Sequence, residues 1–189
     1  MKYFVLGAIA SGLLLYGMSM LYGATGSLQI EAIHAASSLT QSPTMFSLGV
    51  VFILAGIAFK FAAVPFHMWL PDVYQGAPTA VTAFIASAPK MAAFAMAYRL
   101  LESATGLAAA DWIPLVAGLS AMSLVLGNLM GLVQTSFKRL LAYSTISHVG
   151  FLLLGFVGGG VGGYAAAMFY AISYSIMAVA AFGSLILLS

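Results

Sequence analysis

Apolar residues run along this chain in long blocks separated by short polar stretches, and the blocks set out six crossings: residues 2–23, 45–75 with a break, 79–102, 112–134, 139–157 and 162–188. Each reaches or approaches the ~20 residues that an α-helix needs to span an ~30 Å hydrocarbon core. The pattern predicts an all-α membrane protein of about six transmembrane helices, the second broken near Pro65. Met1, Lys2 and the apolar run to Tyr22 have the look of a signal peptide. At about twenty residues the run is too long for an ordinary h-region, so it reads as a retained helix. Residues 24–44, with Gly26, Ser27, Glu31, His34, Ser37, Ser38 and Pro43, read as a polar loop in which His34 is a solvated side chain.

Two lysines interrupt the apolar blocks. Lys60 and Lys90 lie roughly 22 Å and 16 Å into segments starting at Met45 and Thr79, near the middle of the bilayer. A lysine stem of about 6 Å reaches water poorly from there, and an ionisable group at that depth is by default a functional one. Each lysine has a helix-disturbing proline beside it, Pro65 after Lys60 and Pro89 before Lys90. Pro65 lacks an amide hydrogen and its ring crowds the Phe61 carbonyl, which predicts a helix that kinks or opens just after Lys60. Irregular backbone at membrane depth survives only where protein or a hydrated cavity covers it. Pro71, Asp72 and Gly76–Pro78 then close the segment in a turn.

The remaining spans carry small and hydroxyl residues. Gly7, Ser11, Gly12 and Ser19 on the first permit close helix approach, as does the Gly127–Gly131 spacing on the fourth, where Asn128 reads as interhelical glue. Arg99 and Glu102, three apart, are placed to pair at a membrane edge. The fifth span opens with Lys138 and Arg139 and continues through Tyr143, Ser144, Thr145, Ser147 and His148. Lys138 and Thr145 are seven apart and Ser144 and His148 four apart, so polar lines run down one side of the helix. His148 lies about 15 Å beyond Lys138. It is equally suited to a water chain that accepts and releases protons and to a structural hydrogen bond. Gly155 and Gly158–Gly163 form a turn before the last span.

Composition narrows the chemistry. With 63% hydrophobic and 5% charged residues and a mean hydropathy of +1.09, the chain lies outside the soluble range. A net charge of +2 gives no footprint for nucleic acid. The absence of cysteine removes disulfides, thiolate metal sites and iron–sulfur ligation. His34, His67 and His148 are too scattered for a metal site. By counting crossings, Lys2, the Asp72–Pro78 turn and Lys138–Arg139 share one side, which the positive-inside rule makes cytoplasmic or matrix-like. All four acids, Glu31, Asp72, Glu102 and Asp111, sit in loops or at span ends. No carboxylate is at hand to pair with Lys60, so its counter-charge comes from another polypeptide segment or the lysine is neutral at rest.

Two strings are specific enough to carry a resemblance. Phe59-Lys60-Phe61-Ala62-Ala63-Val64-Pro65-Phe66-His67-Met68-Trp69-Leu70-Pro71-Asp72 runs on through Tyr74-Gln75-Gly76-Ala77-Pro78 to Ala88-Pro89-Lys90, and the second is Lys138-Arg139-Leu140-Leu141-Ala142-Tyr143-Ser144-Thr145-Ile146-Ser147-His148. Over essentially the whole chain they resemble the antiporter-like membrane subunits of respiratory complex I, the NADH-quinone oxidoreductase, and most closely the subunit N branch. The multisubunit cation/proton antiporters share the proline–histidine–tryptophan core. The resemblance implies a multi-pass protein of a bacterial inner membrane, or an equivalent energy-converting membrane, that translocates protons. Lys60 and Lys90 would act as relay sites, Lys138 and His148 as secondary ones, with His67 and Ser144 in support. Quinone reduction elsewhere would drive the transfer, with quinone, FMN and iron–sulfur clusters in partner subunits and no cofactor or metal in this chain. It also implies inverted repeats, residues 1–103 matching the end of the first and 112–189 the start of the second. Its partners would be lipid, the other membrane subunits, and the helices of the same subunit that this chain lacks, among them one whose glutamate pairs with the lysine matching Lys60. A cation/proton antiporter subunit and a non-conducting structural element are the alternatives.

Overall fold

A computed structural model describes residues 2–37 and 42–188. Among the described residues six helices are long and apolar enough to cross a membrane: α1 (Lys2–Thr25), α3 (Pro43–Phe61), α5 (Thr79–Ala97), α6 (Ala109–Leu132), α7 (Phe137–Gly158) and α8 (Gly160–Leu188). Two short helices complete the path, α2 (Ile30–Ala36) between α1 and α3 and α4 (Trp69–Gly76) between α3 and α5. The segment expected as a loop therefore contains a helical turn, held by the buried Ile33 and packed on the end of α5. His34 is half-buried there rather than solvated. Met1 and Ser38 lie outside the described residues.

The break in the second crossing is a helix terminus followed by a re-entrant turn. α3 stops at Phe61, the residue whose carbonyl a helical Pro65 would crowd. Ala62 takes the left-handed conformation, with φ 61°, and the Val64–Pro65 peptide bond is cis. The Ala62 amide donates to the Phe59 carbonyl and the Ala63 amide to the Ala58 carbonyl, both at 2.9 Å. That pair of bonds is a Schellman C-cap built on alanine instead of the usual glycine. The Val64 amide donates to Ser123 Oγ of α6 at 2.9 Å, and Trp69 Nε1 donates to the Phe59 carbonyl at 3.1 Å. Backbone polar groups cost several kcal/mol if left unpaired in hydrocarbon, and here side chains from neighbouring helices take them up.

Glycine contacts underlie two of the three helix pairings. α1 lies along α3, α6 along α7 and α5 along α8. A Cβ on Gly17 would sit 2.7 Å from the Gly49 carbonyl oxygen, and one on Gly127 would sit 2.7 Å from the Ser147 nitrogen. Ser120 Oγ donates to the Gly150 carbonyl at 2.7 Å across the α6–α7 seam. On α1 the close approach falls at Gly17, whereas Gly12 has no neighbour within 4 Å. Asn128 bonds back to the Leu124 carbonyl of its own helix at 2.7 Å and is exposed, so it does not join helices within this chain.

These contacts yield a paired expectation. Gly127→Ala drives a methyl group into the backbone of α7 and should destabilise by roughly 1–3 kcal/mol. Gly12→Ala, at an open helical position, should be neutral or gain up to about 1 kcal/mol. Thermal unfolding of the detergent-solubilised protein compares the two, and equal effects would exclude the α6–α7 glycine contact.

Candidate functional site

Among the described residues Lys90 is the buried basic side chain, 3% exposed on α5. Its Nζ donates to the carbonyl of Phe61, the last residue of α3. A helix C-terminus exposes unpaired carbonyls and a partial negative charge, which an amine there both bonds and neutralises. The Trp69 ring completes the seat, its centroid 6.0 Å from Nζ, at the reach of a cation–π contact. The first residue of α4 and the last of α3 thus meet at one amine. The helix carrying Lys90 continues unbroken through Pro89, contrary to a break expected there. Pro89 cannot bond back to the Ile85 carbonyl, and both residues line an open cleft.

Lys60 is placed differently. It stands on the penultimate residue of α3, exposed on the chain's own surface, and makes no ion pair or hydrogen bond with a described residue. Gly56, one turn earlier, is packed against Leu14 of α1, and Lys60 follows on the same face. There α1 presents the small residues Gly7, Ala8, Ala10 and Ser11 beyond Tyr3 and Phe4, and together they line a cleft of about 730 Å³ that reaches both Lys60 and Lys90. The small residues of α1 read from sequence as a packing face are in part the wall of this cleft.

Farther along, α7 and α8 bring a second polar group together. His148 Nδ1 lies 2.6 Å from the Tyr170 hydroxyl, and its ring centroid lies 4.8 Å from that of Tyr174. Tyr174 donates to Thr145 Oγ1 at 2.7 Å, and Thr145 donates to the Leu141 carbonyl at 2.8 Å. Ser144 is half-buried on the adjacent face. His67 lies half-buried in the break, its Nδ1 enclosed and without a hydrogen-bond partner among the described residues. On α8 the sequence reading picks out the hydroxyl of Tyr174 but not Tyr170, although the two, four apart, share one helix face.

Charged residues at the membrane edges hold the frame. Lys138 Nζ donates to the Ala77 carbonyl at 3.1 Å. Arg139 Nη1 reaches Asp72 Oδ1 at 3.2 Å and Gln75 Oε1 at 3.1 Å, while its Nε donates to Gln134 at 3.1 Å. The Asp72–Pro78 turn and the start of α7 therefore lie at one end, as counting crossings implies. At the other end Tyr164 donates to Glu102 Oε2 at 2.6 Å, and Ser47 donates to Asp111 Oδ2 at 2.5 Å. Glu102 is thus taken by Tyr164, in place of the expected pairing with Arg99. It sits on a π-helical extension of α5, Tyr98–Ala104, which rotates it off the i+3 spacing assumed for a regular helix.

The family described as NADH:quinone oxidoreductase/Mrp antiporter, transmembrane, matches residues 1–188. The chain belongs to that family. Within the NADH:quinone oxidoreductase/Mrp antiporter family it is 61% identical over 189 residues to the NADH-quinone oxidoreductase subunit N of Xanthomonas euvesicatoria and 60% identical over 190 residues to that of Laribacter hongkongensis. Both matches cover 100% of this chain and 39% of the relative, so the chain spans about two-fifths of their length. Among solved structures, a chain of respiratory complex I from Thermus thermophilus aligns with a TM-score of 0.80 and 41% identity, over 97% of this chain and 39% of that one. A chain of the Mrp complex from Dietzia aligns with a TM-score of 0.86 and 28% identity, over 95% of this chain and 33% of that one. Fold likeness does not separate the family's branches. Sequence identity does, and it favours subunit N. With its six apolar crossings, this family member is a multi-pass integral membrane protein.

The break generates its own expectation. Ser123→Ala removes the acceptor of the buried Val64 amide and should destabilise by about 1–3 kcal/mol, while Ser173→Ala on the exposed face of α8 should change little. Equal thermal stability of the two variants would show that the Val64 bond does not hold the turn.

Proposed function

We propose that this chain is a stretch of a proton-translocating membrane subunit of an NADH:quinone oxidoreductase, whose complex couples the transfer to quinone reduction in partner subunits that hold the quinone, FMN and iron–sulfur centres. One observation carries the reading: the buried amine of Lys90, bonded to the broken end of α3 and open through a cleft to Lys60. Burial disfavours a charged lysine, and a helix C-terminus favours it. An amine held between these influences is suited to gain and lose a proton as nearby charge changes. Lys60 is the entry-side carrier, its counter-charge supplied from outside this chain. His148, bracketed by Tyr170 and Tyr174, takes the proton onward, and Lys138 serves at the membrane edge. His67 and Ser144 support the path, and residues 1–103 and 112–189 are parts of two inverted repeats.

A cation/proton antiporter subunit is the second reading, favoured by the fold likeness to the Mrp complex and disfavoured by sequence identity. Proton translocation by the assembled complex carrying Lys90→Met or Lys60→Ala tests the proposal. Each variant should lower translocation by about a hundredfold, the lower end for a lost proton-transfer group. Undiminished translocation in both would end the relay reading. Loss of assembly without loss of translocation in the complexes that form would favour a structural element.

A further inference from the structure

Beyond Lys90, the way to the Glu102 end of the bundle is filled by aromatic rings. Phe94 lies one turn after Lys90 on the same face of α5, and both are buried. Its ring meets that of Phe156 of α7 at a centroid distance of 5.5 Å, Phe156 meets Tyr164 of α8 at 5.5 Å, and Tyr164 meets Tyr98 at 5.0 Å, with interplanar angles from 67° to 78°. Tyr164 is also the ring whose hydroxyl donates to Glu102. Ring contacts therefore run from one turn past the buried amine to the carboxylate at the membrane edge.

The space beside these rings is dry. A void of about 10 Å³ lies among Leu54, Phe61, Ala97, Leu101, Leu119 and Phe156, and among the described residues apolar side chains alone line it. It reaches from Phe61, which bonds Lys90, to Leu101, the neighbour of Glu102. A water needs at least that much room and two or more polar partners, and no side chain here offers one. Main-chain contact fixes the spacing of the rings. A Cβ on Gly155 would lie 2.8 Å from the Gly163 carbonyl oxygen, so α7 and α8 touch through backbone at the residues next to Phe156 and Tyr164. Lys90 opens instead to the side, into the cleft of about 730 Å³ that it shares with Lys60.

We propose that Phe156, with Phe94 and the apolar residues around the void, forms an insulating layer that closes this bundle toward the Glu102 end, so that Lys90 exchanges protons through the cleft side only. The proposal rests on the proton-translocating reading, because a proton site open to both faces dissipates the gradient it builds. Phe156 is the centre of the layer: it is 0% exposed and touches Phe94, Tyr164 and the void. It transfers no proton itself. Its part is to exclude the water that would carry one.

The full-length subunit in its assembled complex, reconstituted in phospholipid vesicles, tests this with Phe156→Ala and, from a different helix, Leu119→Asn, each alone and combined with Lys90→Met. Passive proton permeability is read from the internal pH after an external acid pulse, and proton translocation is measured during NADH oxidation. Loss of the ring makes room for waters of about 30 Å³ each, and the asparagine amide gives the void a polar partner. Either variant should raise passive permeability by about tenfold, the effect of about 1.4 kcal/mol taken off a barrier, and adding Lys90→Met should return it to the wild-type level. Phe156→Leu, which keeps the space filled, should remain tight. If Lys90→Met abolishes translocation while Phe156→Ala and Leu119→Asn stay as tight as wild type, the insulating layer is overturned and the proton-translocating reading stands. A leak that persists in the Lys90→Met background reflects general loosening of the bundle, and the inference fails. Should one of the two variants not assemble, the other decides. If Lys90→Met leaves translocation undiminished, the underlying reading fails and this inference with it.

Discussion

An open helix end inside a membrane must find partners, and the bond from Lys90 to the Phe61 carbonyl answers that demand at the centre of this fold. Without water, the carbonyls at the end of α3 have only protein to bond to. The alanine Schellman cap satisfies two of them, the Trp69 indole shares one, and the amine of α5 takes the last residue. The same contact settles the lysine, because an amine is tolerated in an apolar interior when it meets partial negative charge. Break and lysine thus meet in one hydrogen bond.

The rest of the architecture positions that pair. α4 is anchored at its start by Trp69 and near its end by the Arg139 contacts with Asp72 and Gln75, and Lys138 holds the turn that follows through Ala77. The end of α4 and the start of α7 are therefore tied together at the membrane edge. Glycine contacts at Gly127 and Gly150 seat α7 against α6, and α6 in turn supplies Ser123 to the break. Every element touching the polar groups is thus fixed by contacts within the bundle. The exception is the cleft beside Lys60, walled by Gly7, Ala8 and Ser11 of α1 and reaching inward to Lys90.

Much of the fold was legible because bilayer thickness and backbone hydrogen bonding leave few solutions for apolar blocks of this length. The six crossings and the break near Pro65 follow from those constraints. Proline read in isolation misled at Pro89, where the helix continues. Pro65 is followed by Pro71 and a turn-forming stretch, so the chain has somewhere else to go, whereas the residues around Pro89 are strong helix formers held along α8. Depth along a helix was readable for both lysines, but direction was not. Lys90 points into the bundle and Lys60 out of it, a difference set by which neighbours flank each helix face.

By itself, the sequence determined that the chain crosses a membrane as helices, that the second crossing opens after Lys60, and that basic residues lie where hydrocarbon should be. These are consequences of transfer energies and of proline's missing amide, and they act locally. Only the tertiary structure decided that Phe61 is the partner of Lys90, that Glu102 bonds Tyr164, that Tyr170 and Tyr174 flank His148, and that Tyr174 bonds Thr145. Those pairings join residues far apart in the chain. They depend on the rotation of each helix about its axis, which close packing against all its neighbours at once determines and which no local pattern encodes.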